Sequence, residues 1–139
     1  SIGVSNFLGE HLDRIVGETG VGPVLNQVEL HPELPQAELR AKHAEMGIAT
    51  QGWTPLGEGR VFGHPTVQAI AERTGASPAQ VVLAWQIGLG SAPIPRSTKA
   101  ERLAENLAAH LVQLEAEEFE AMEALETGHR CGPDPRSFA

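Results

Sequence analysis

Arg96, Ser97, Thr98, Lys99 and Arg102 bring three cations and two hydroxyls together directly after a short apolar run at 92–94 and Pro95. Thr98 and Glu101 have the spacing of a capping box, so a helix is expected to open near Thr98. The first N–H groups of a helix lack intrahelical partners and carry the positive end of its dipole. With fixed positive charge beside them, such groups favour an anion, and a phosphate fits best. The setting sharpens the point: the chain's formal net charge is −8, yet three of its ten Lys+Arg residues sit here. The same stretch also reads as a solvated basic helix end, and by itself it does not decide between the two.

The elements that must position this stretch follow from periodicity. Residues 2–4 read as the end of a buried strand, followed by the polar step Ser5-Asn6, with Asn6 as a candidate cap. Leu8, Leu12, Ile15 and Val16 then repeat at helical spacing. A strand is expected over 24–30, a helix over 34–46 ended by Gly47, and a short strand over 48–53. Residues 54–65 form a Gly-rich loop of the length that often serves as a binding segment, although a mobile surface connection has the same composition. A short helix is expected over 66–73. Ser77-Pro78-Ala79-Gln80 is a second capping box with Pro at the first helical position. The helix it opens carries Val81, Val82, Ala84, Trp85 and Ile87, with Trp85 in the core. A strand over 92–94, the cationic helix and a last amphipathic helix over 115–125 follow, and the tail over 128–139 reads as coil.

Alternating strands and helices argue for an α/β fold with a parallel sheet. Polar residues gather at the C-terminal ends of the four strands: Ser5-Asn6, Gln27, Trp53-Thr54 and Arg96-Ser97. That end is the working face of a (β/α)₈ barrel, where a phosphate site often lies after the last strands. Four βα units fill half of such a barrel. The expectation is a single partial barrel domain over 1–139, closed by a C-terminal helix and tail.

Composition limits the function classes. At 139 residues with 41% hydrophobic and 20% charged content, the chain is an ordinary one-domain length and mix. No apolar run approaches the roughly 18 residues of a membrane span. The excess of Asp and Glu makes nucleic acid a poor partner. One Cys, Cys131, rules out an internal disulfide and fits a reducing cytoplasm; it lies in the polar tail, where a structural or incidental role is expected. The six His residues, at 11, 31, 43, 64, 110 and 129, show no metal-ligand spacing, and His31 belongs to a structural His-Pro turn. The chain starts without Met inside an apolar run, so it reads as cut into a strand. It contains no Tyr.

Four motifs in order carry a specific resemblance: Gly3-Val4-Ser5-Asn6-Phe7, Asn26-Gln27-Val28-Glu29-Leu30-His31-Pro32, Gly52-Trp53-Thr54-Pro55-Leu56-Gly57, and the run from Ile94-Pro95-Arg96-Ser97 to Glu105-Asn106. Across essentially its whole length the chain resembles the C-terminal half of an aldo-keto reductase, closest to the bacterial branch that includes the 2,5-diketogluconate reductases. The resemblance implies an NADPH-dependent oxidoreductase that reduces aldehydes or ketones, with this chain as the cofactor half. It implies that Ser5, Asn6 and Gln27 hold the nicotinamide carboxamide. Trp53, followed by Thr54, would stack on the ring, and Leu56 and its loop would run along the pyrophosphate. Arg96, Ser97, Thr98 and Arg102 would bind the 2′-phosphate, and Glu105 and Asn106 would meet the adenine. Arg96 stands where most members have Lys; Arg keeps the charge and adds a planar fork suited to phosphate. Trp53 replaces the Tyr of animal members. The family's catalytic Asp, Tyr, Lys and His belong to the first half of the barrel, so no catalytic residue carries over and the chain alone is expected to be inactive. A small carbonyl substrate and a monomeric full-length protein are implied. Two other readings stay open: a non-catalytic half-barrel that self-associates through its unpaired strand edges, and a barrel enzyme using another phosphate-bearing ligand.

Overall fold

A computed structural model describes residues 1–137 of the chain. Four parallel strands, β1 (Gly3–Ser5), β2 (Leu25–Glu29), β3 (Ala49–Trp53) and β4 (Ala92–Pro93), pair in the order β1-β2-β3-β4. Parallel neighbours need crossover connections, and helices supply them. The helix α1 (Gly9–Thr19) joins β1 to β2, and α2 (Ala37–Met46) joins β2 to β3. Two helices, α3 (Pro65–Thr74) and α4 (Pro78–Gly88), lie between β3 and β4. The chain finishes with α5 (Ala100–Ala108) and α6 (Ala116–Glu123). This is the sequential winding of a (β/α)₈ barrel, carried through four strands. Among the described residues no helix is long and apolar enough to cross a membrane.

The core packs behind the sheet. Leu30, Val61, Val67, Ile70, Val81, Val82, Trp85 and Met122 form one buried cluster, and Trp85 is fully enclosed. The capping box at Ser77 forms as its spacing predicts: Ser77 Oγ accepts from Gln80 N–H at 3.3 Å, and Gln80 Oε1 accepts from Ser77 N–H at 3.1 Å. The loop over 54–65 is partly structured. It contains a 3₁₀ turn (Gly57–Gly59), and Val61 anchors it in the core.

Four expectations change. The box at Thr98 and Glu101 does not form. Ser97 Oγ takes the Lys99 N–H at 3.1 Å, which leaves Lys99 extended as the cap and starts α5 at Ala100. Asn6 does not cap α1; Leu8 holds that position, with its N–H donating to His11 Nδ1 at 3.1 Å. The helix expected from residue 34 begins at Ala37, because His31 and Leu34 close a tight bridged turn ahead of Pro35. The tail is not simply coil: it carries a 3₁₀ turn (Pro135–Ser137) and is tied to the sheet.

β1 and β4 each leave one edge unpaired, and apolar side chains cluster near both. Ile2 and Val24, joined by a backbone hydrogen bond, are exposed on the β1 side, and Ile94, Leu103 and Leu107 on the β4 side. Pro93 and Pro95 lack N–H groups, so Ile94 alone extends the ladder, donating to Gly52 O at 3.0 Å.

Helix packing sets one testable constraint. A Cβ added at Gly88 would lie 2.2 Å from Phe119 Cζ, where α4 meets α6. Gly88→Ala gains helix propensity but forces the two helices apart, with an expected net loss of about 1–2 kcal/mol in urea unfolding. Gly17→Ala in α1 meets nothing within 4 Å and is expected to stabilise by up to about 1 kcal/mol. A stabilising Gly88→Ala would show that the contact is loose.

Candidate functional site

The register of the sheet builds the first part of the site. Ser5 pairs with Gln27, Gln27 with Gln51, and Gln51 with Ala92, so one row of residues crosses all four strands. Side chains alternate along a strand, so Gln27 and Glu29 share a face, as do Gln51 and Trp53. Ser5 Oγ donates to Gln27 O at 3.1 Å, and Gln27 Nε2 donates to Gln51 Oε1 at 2.6 Å. Gln51 was not singled out by any sequence motif; its position in the row is what reveals it.

Asn6 turns the chain at the end of β1 with a φ of 58°. Its backbone N–H continues the ladder to Gln27 O at 2.9 Å, and its side-chain Oδ1 accepts from Trp53 Nε1 at 2.8 Å. That bond fixes the indole of β3 against β1. Thr54, the next residue, adopts a φ of 48°. A β-branched side chain is rarely found there and costs of order 1–3 kcal/mol, strain of the kind that collects at functional sites. Leu56 packs half-buried on the core, and Gly57 closes against the His31 ring.

Behind this edge lies a buried polar chain. Asn26 Nδ2 donates to Phe7 O at 2.8 Å and meets His43 Nε2 at 3.0 Å, while His43 Nδ1 meets Thr50 Oγ1 at 2.8 Å. Since the amide can only donate, Nε2 must accept and Nδ1 carries the proton. Burial pushes the His43 pKa below its ordinary value, which keeps the ring neutral.

The second part is the start of α5. Arg96, Thr98, Lys99 and Arg102 are exposed and Ser97 is half-buried. Six of the ten Lys+Arg residues pair with carboxylates: Arg14, Arg40, Lys42, Arg60, Arg73 and Arg136. Arg96, Lys99 and Arg102 form no ion pair among the described residues, and no side chain caps the helix. Three unneutralised cations at a free helix start suit a phosphate. Glu105 is turned elsewhere. Its carboxylate accepts from Ser77 Oγ, and its carbonyl accepts from Gln80 Nε2 at 3.1 Å. Asn106 lies half-buried in an apolar groove with Leu83, Pro93, Leu103 and Leu107.

A third cluster escapes sequence spacing altogether. Glu29, His31 and Cys131 bring a ligand-type atom each within 4.8 Å of one another, although Cys131 is 102 residues from Glu29. Both Glu29 oxygens accept N–H bonds, from Cys131, His31 and Gly132. Burial and the Glu29 carboxylate push the Cys131 thiol up to about 11, so it stays protonated at neutral pH and is a poor nucleophile. Beside the Asn6 turn, a groove of about 600 Å³ is lined by Ser5, Asn6, Phe7, His11, Arg14 and Pro135.

Comparison with known proteins places these motifs. Residues 1–127 match the model of the aldo/keto reductase family. An aldo-keto reductase of Mycolicibacterium smegmatis is 50% identical over 99% of this chain and 50% of its own length. A methylglyoxal reductase, DkgA, of Salmonella typhimurium is 42% identical over 99% of the chain and 51% of its own length. A crystal structure of a Gox0644 point mutant in complex with NADPH superposes with a TM-score of 0.94 at 45% identity, over 100% of this chain and 52% of that one. The chain spans about half the length of the relatives it matches.

The neutral His43 sets the pH dependence of the site's support. Its pKa is lower in the folded chain than in the unfolded one, so its contribution is complete above about pH 6.5 and is lost as pH falls below that. The urea midpoint is expected to drop between pH 7.5 and pH 5. His43→Gln should lower stability at pH 7.5 and flatten that pH dependence. An unchanged slope in His43→Gln would assign the dependence to other groups.

Proposed function

Because the chain belongs to the aldo/keto reductase family, we propose that it is the cofactor-binding half of an NADPH-dependent reductase that converts aldehydes or ketones to alcohols. The observation that carries the reading is the pairing, on one edge of the sheet, of a fixed indole with a separate cluster of unneutralised cations. The hydrogen-bond inventory fits the cofactor. Asn6 spends its Oδ1 on Trp53, and its Nδ2 has no partner among the described residues; Gln27 spends its Nε2 on Gln51, and its Oε1 likewise has none among them. A donor from Asn6 and an acceptor from Gln27, at the same end of the sheet as Ser5, would complement a carboxamide.

Trp53 supplies the flat surface for the nicotinamide, worth roughly 0.5–1.5 kcal/mol beyond area burial. Thr54 and Leu56 lead the chain along the pyrophosphate. Arg96, Ser97, Thr98 and Arg102 hold the 2′-phosphate, with Lys99 adding charge. Asn106 meets the adenine; Glu105 reaches it only from its tether to Ser77 and Gln80. When bound, NADPH supplies the hydride for carbonyl reduction. The chain's own part is to bind, orient and flatten the cofactor. In the family this chain resembles the acid that protonates the substrate oxygen is a Tyr, and these 139 residues contain none.

The substrate is a small carbonyl compound handled in the cytoplasm. The likeness to a methylglyoxal reductase makes a 2-oxoaldehyde the first to try, in keeping with the bacterial 2,5-diketogluconate reductase-like branch. The exposed Leu103 and Leu107 beside an open strand edge favour a second reading, a half-barrel that associates with another copy. Sedimentation separates the two: a dimer that binds no nucleotide supports the second.

Arg102→Ala tests the cofactor assignment. Loss of a charge-assisted bond to the 2′-phosphate is expected to weaken NADPH binding by roughly 10- to 150-fold and NADH binding little, in fluorescence titrations of the chain. Equal losses for both nucleotides would remove Arg102 from the site. A chain that binds neither would show that the cofactor site is not contained in this half.

A further inference from the structure

Glu29 is a fully buried carboxylate at the end of β2, in register with Trp53. Its partners come from two places. His31 Nε2 lies 2.9 Å from Oε1, and the backbone N–H groups of Cys131 and Gly132 donate to Oε1 and Oε2, the latter at 3.2 Å. A buried carboxylate is costly unless donors surround it, and two of these three donors are supplied by the tail. The tail therefore sits where Glu29 requires it.

That position brings the tail onto the indole. A Cβ added at Gly132 would lie 2.4 Å from Trp53 Cη2 and 3.1 Å from Cζ3. Only a residue without a side chain lets the backbone lie this close. The φ of Gly132 is not in the left-handed region, so contact with Trp53 is the constraint, not backbone conformation. The opposite end of the indole is pinned through Nε1 to Asn6. The ring is thus held between the turn after β1 and the tail.

We propose that Glu29 is a positioning residue: through the backbone of Cys131 and Gly132 it straps the C-terminal tail against Trp53, and the strap fixes the indole plane on which the cofactor ring stacks. The second clause rests on the reading of Trp53 as the nicotinamide platform. The tail then belongs to the site, although none of its side chains need touch the cofactor.

The test uses the chain with Trp85→Phe, so that Trp53 alone emits. Emission maximum and acrylamide quenching are compared for this parent, Glu29→Gln, a deletion from Arg130 onward, and the combination. Glu29→Gln and the deletion are each expected to shift emission to the red and make Trp53 more quenchable. Combined, they should add nothing beyond the deletion alone, because Glu29 acts through the tail. Unchanged quenching on deletion would overturn the strap. So would a Glu29→Gln effect that persists in the deleted chain. Gly132→Ala leaves Glu29 untouched and is expected to shift Trp53 emission as well, which keeps the test decisive if Glu29→Gln does not fold. NADPH titration of the same variants should show a roughly three- to ten-fold weaker affinity, the size of the stacking increment. Raised quenching with unchanged NADPH affinity would keep the strap and overturn the platform reading.

Discussion

The buried carboxylate of Glu29 is the constraint around which the C-terminal edge of the sheet is arranged. A polar group out of water is tolerated only where hydrogen-bond partners replace its hydration. His31 and the backbone of Cys131 and Gly132 do this, and each partner is thereby fixed in place. His31 in turn packs against Gly57, so the turn after β3 is held by the same group. The Glu29 carbonyl accepts from Gln36 Nε2 at the entry to α2. One side chain therefore connects the strand end, the His-Pro turn, the loop after Trp53 and the tail.

Charge is distributed on a different principle. The chain is acidic overall, and six of its ten cations pair with carboxylates, four of them between distant segments, as in Arg40 with Glu123 and Arg73 with Glu118. These exposed or partly exposed pairs contribute little individually to stability. Their more useful effect is contrast. Among the described residues Arg96, Lys99 and Arg102 have no carboxylate partner, at the start of a helix whose dipole has the same sign. A cluster of like charges is unfavourable in the unliganded chain and becomes favourable when an anion arrives.

The unpaired edges mark where this piece of barrel ends. The core behind the sheet is complete: Trp85 and its neighbours are enclosed by α3, α4 and α6. The exposed apolar residues lie instead beside β1 and β4, where a closed barrel would continue. The inward row of Ser5, Gln27 and Gln51 is linked along the sheet by Ser5 Oγ to Gln27 O and by Gln27 Nε2 to Gln51 Oε1.

Much of this was legible in the sequence. Strand and helix alternation, the Ser77 cap, the cationic cluster and the order of four motifs all rest on neighbours within a few positions, where periodicity and capping chemistry operate. The misplaced features involve competition or distance. Thr98 and Glu101 had the right spacing for a cap, but Ser97 reached the Lys99 N–H and the box was lost. Asn6 looked like a helix cap and is instead a left-handed turn bonded to an indole 47 residues away. The tether of the Glu105 carboxylate to Ser77, 28 residues earlier, is likewise invisible to spacing. The tail looked structureless because nothing within it asks for order; the demand comes from a carboxylate about a hundred residues earlier. Local propensity and motif order thus determined which elements exist and which family they belong to. Only the tertiary structure decided which polar atoms remain free for a ligand, because each donor and acceptor is committed by whichever partner folding brings within reach.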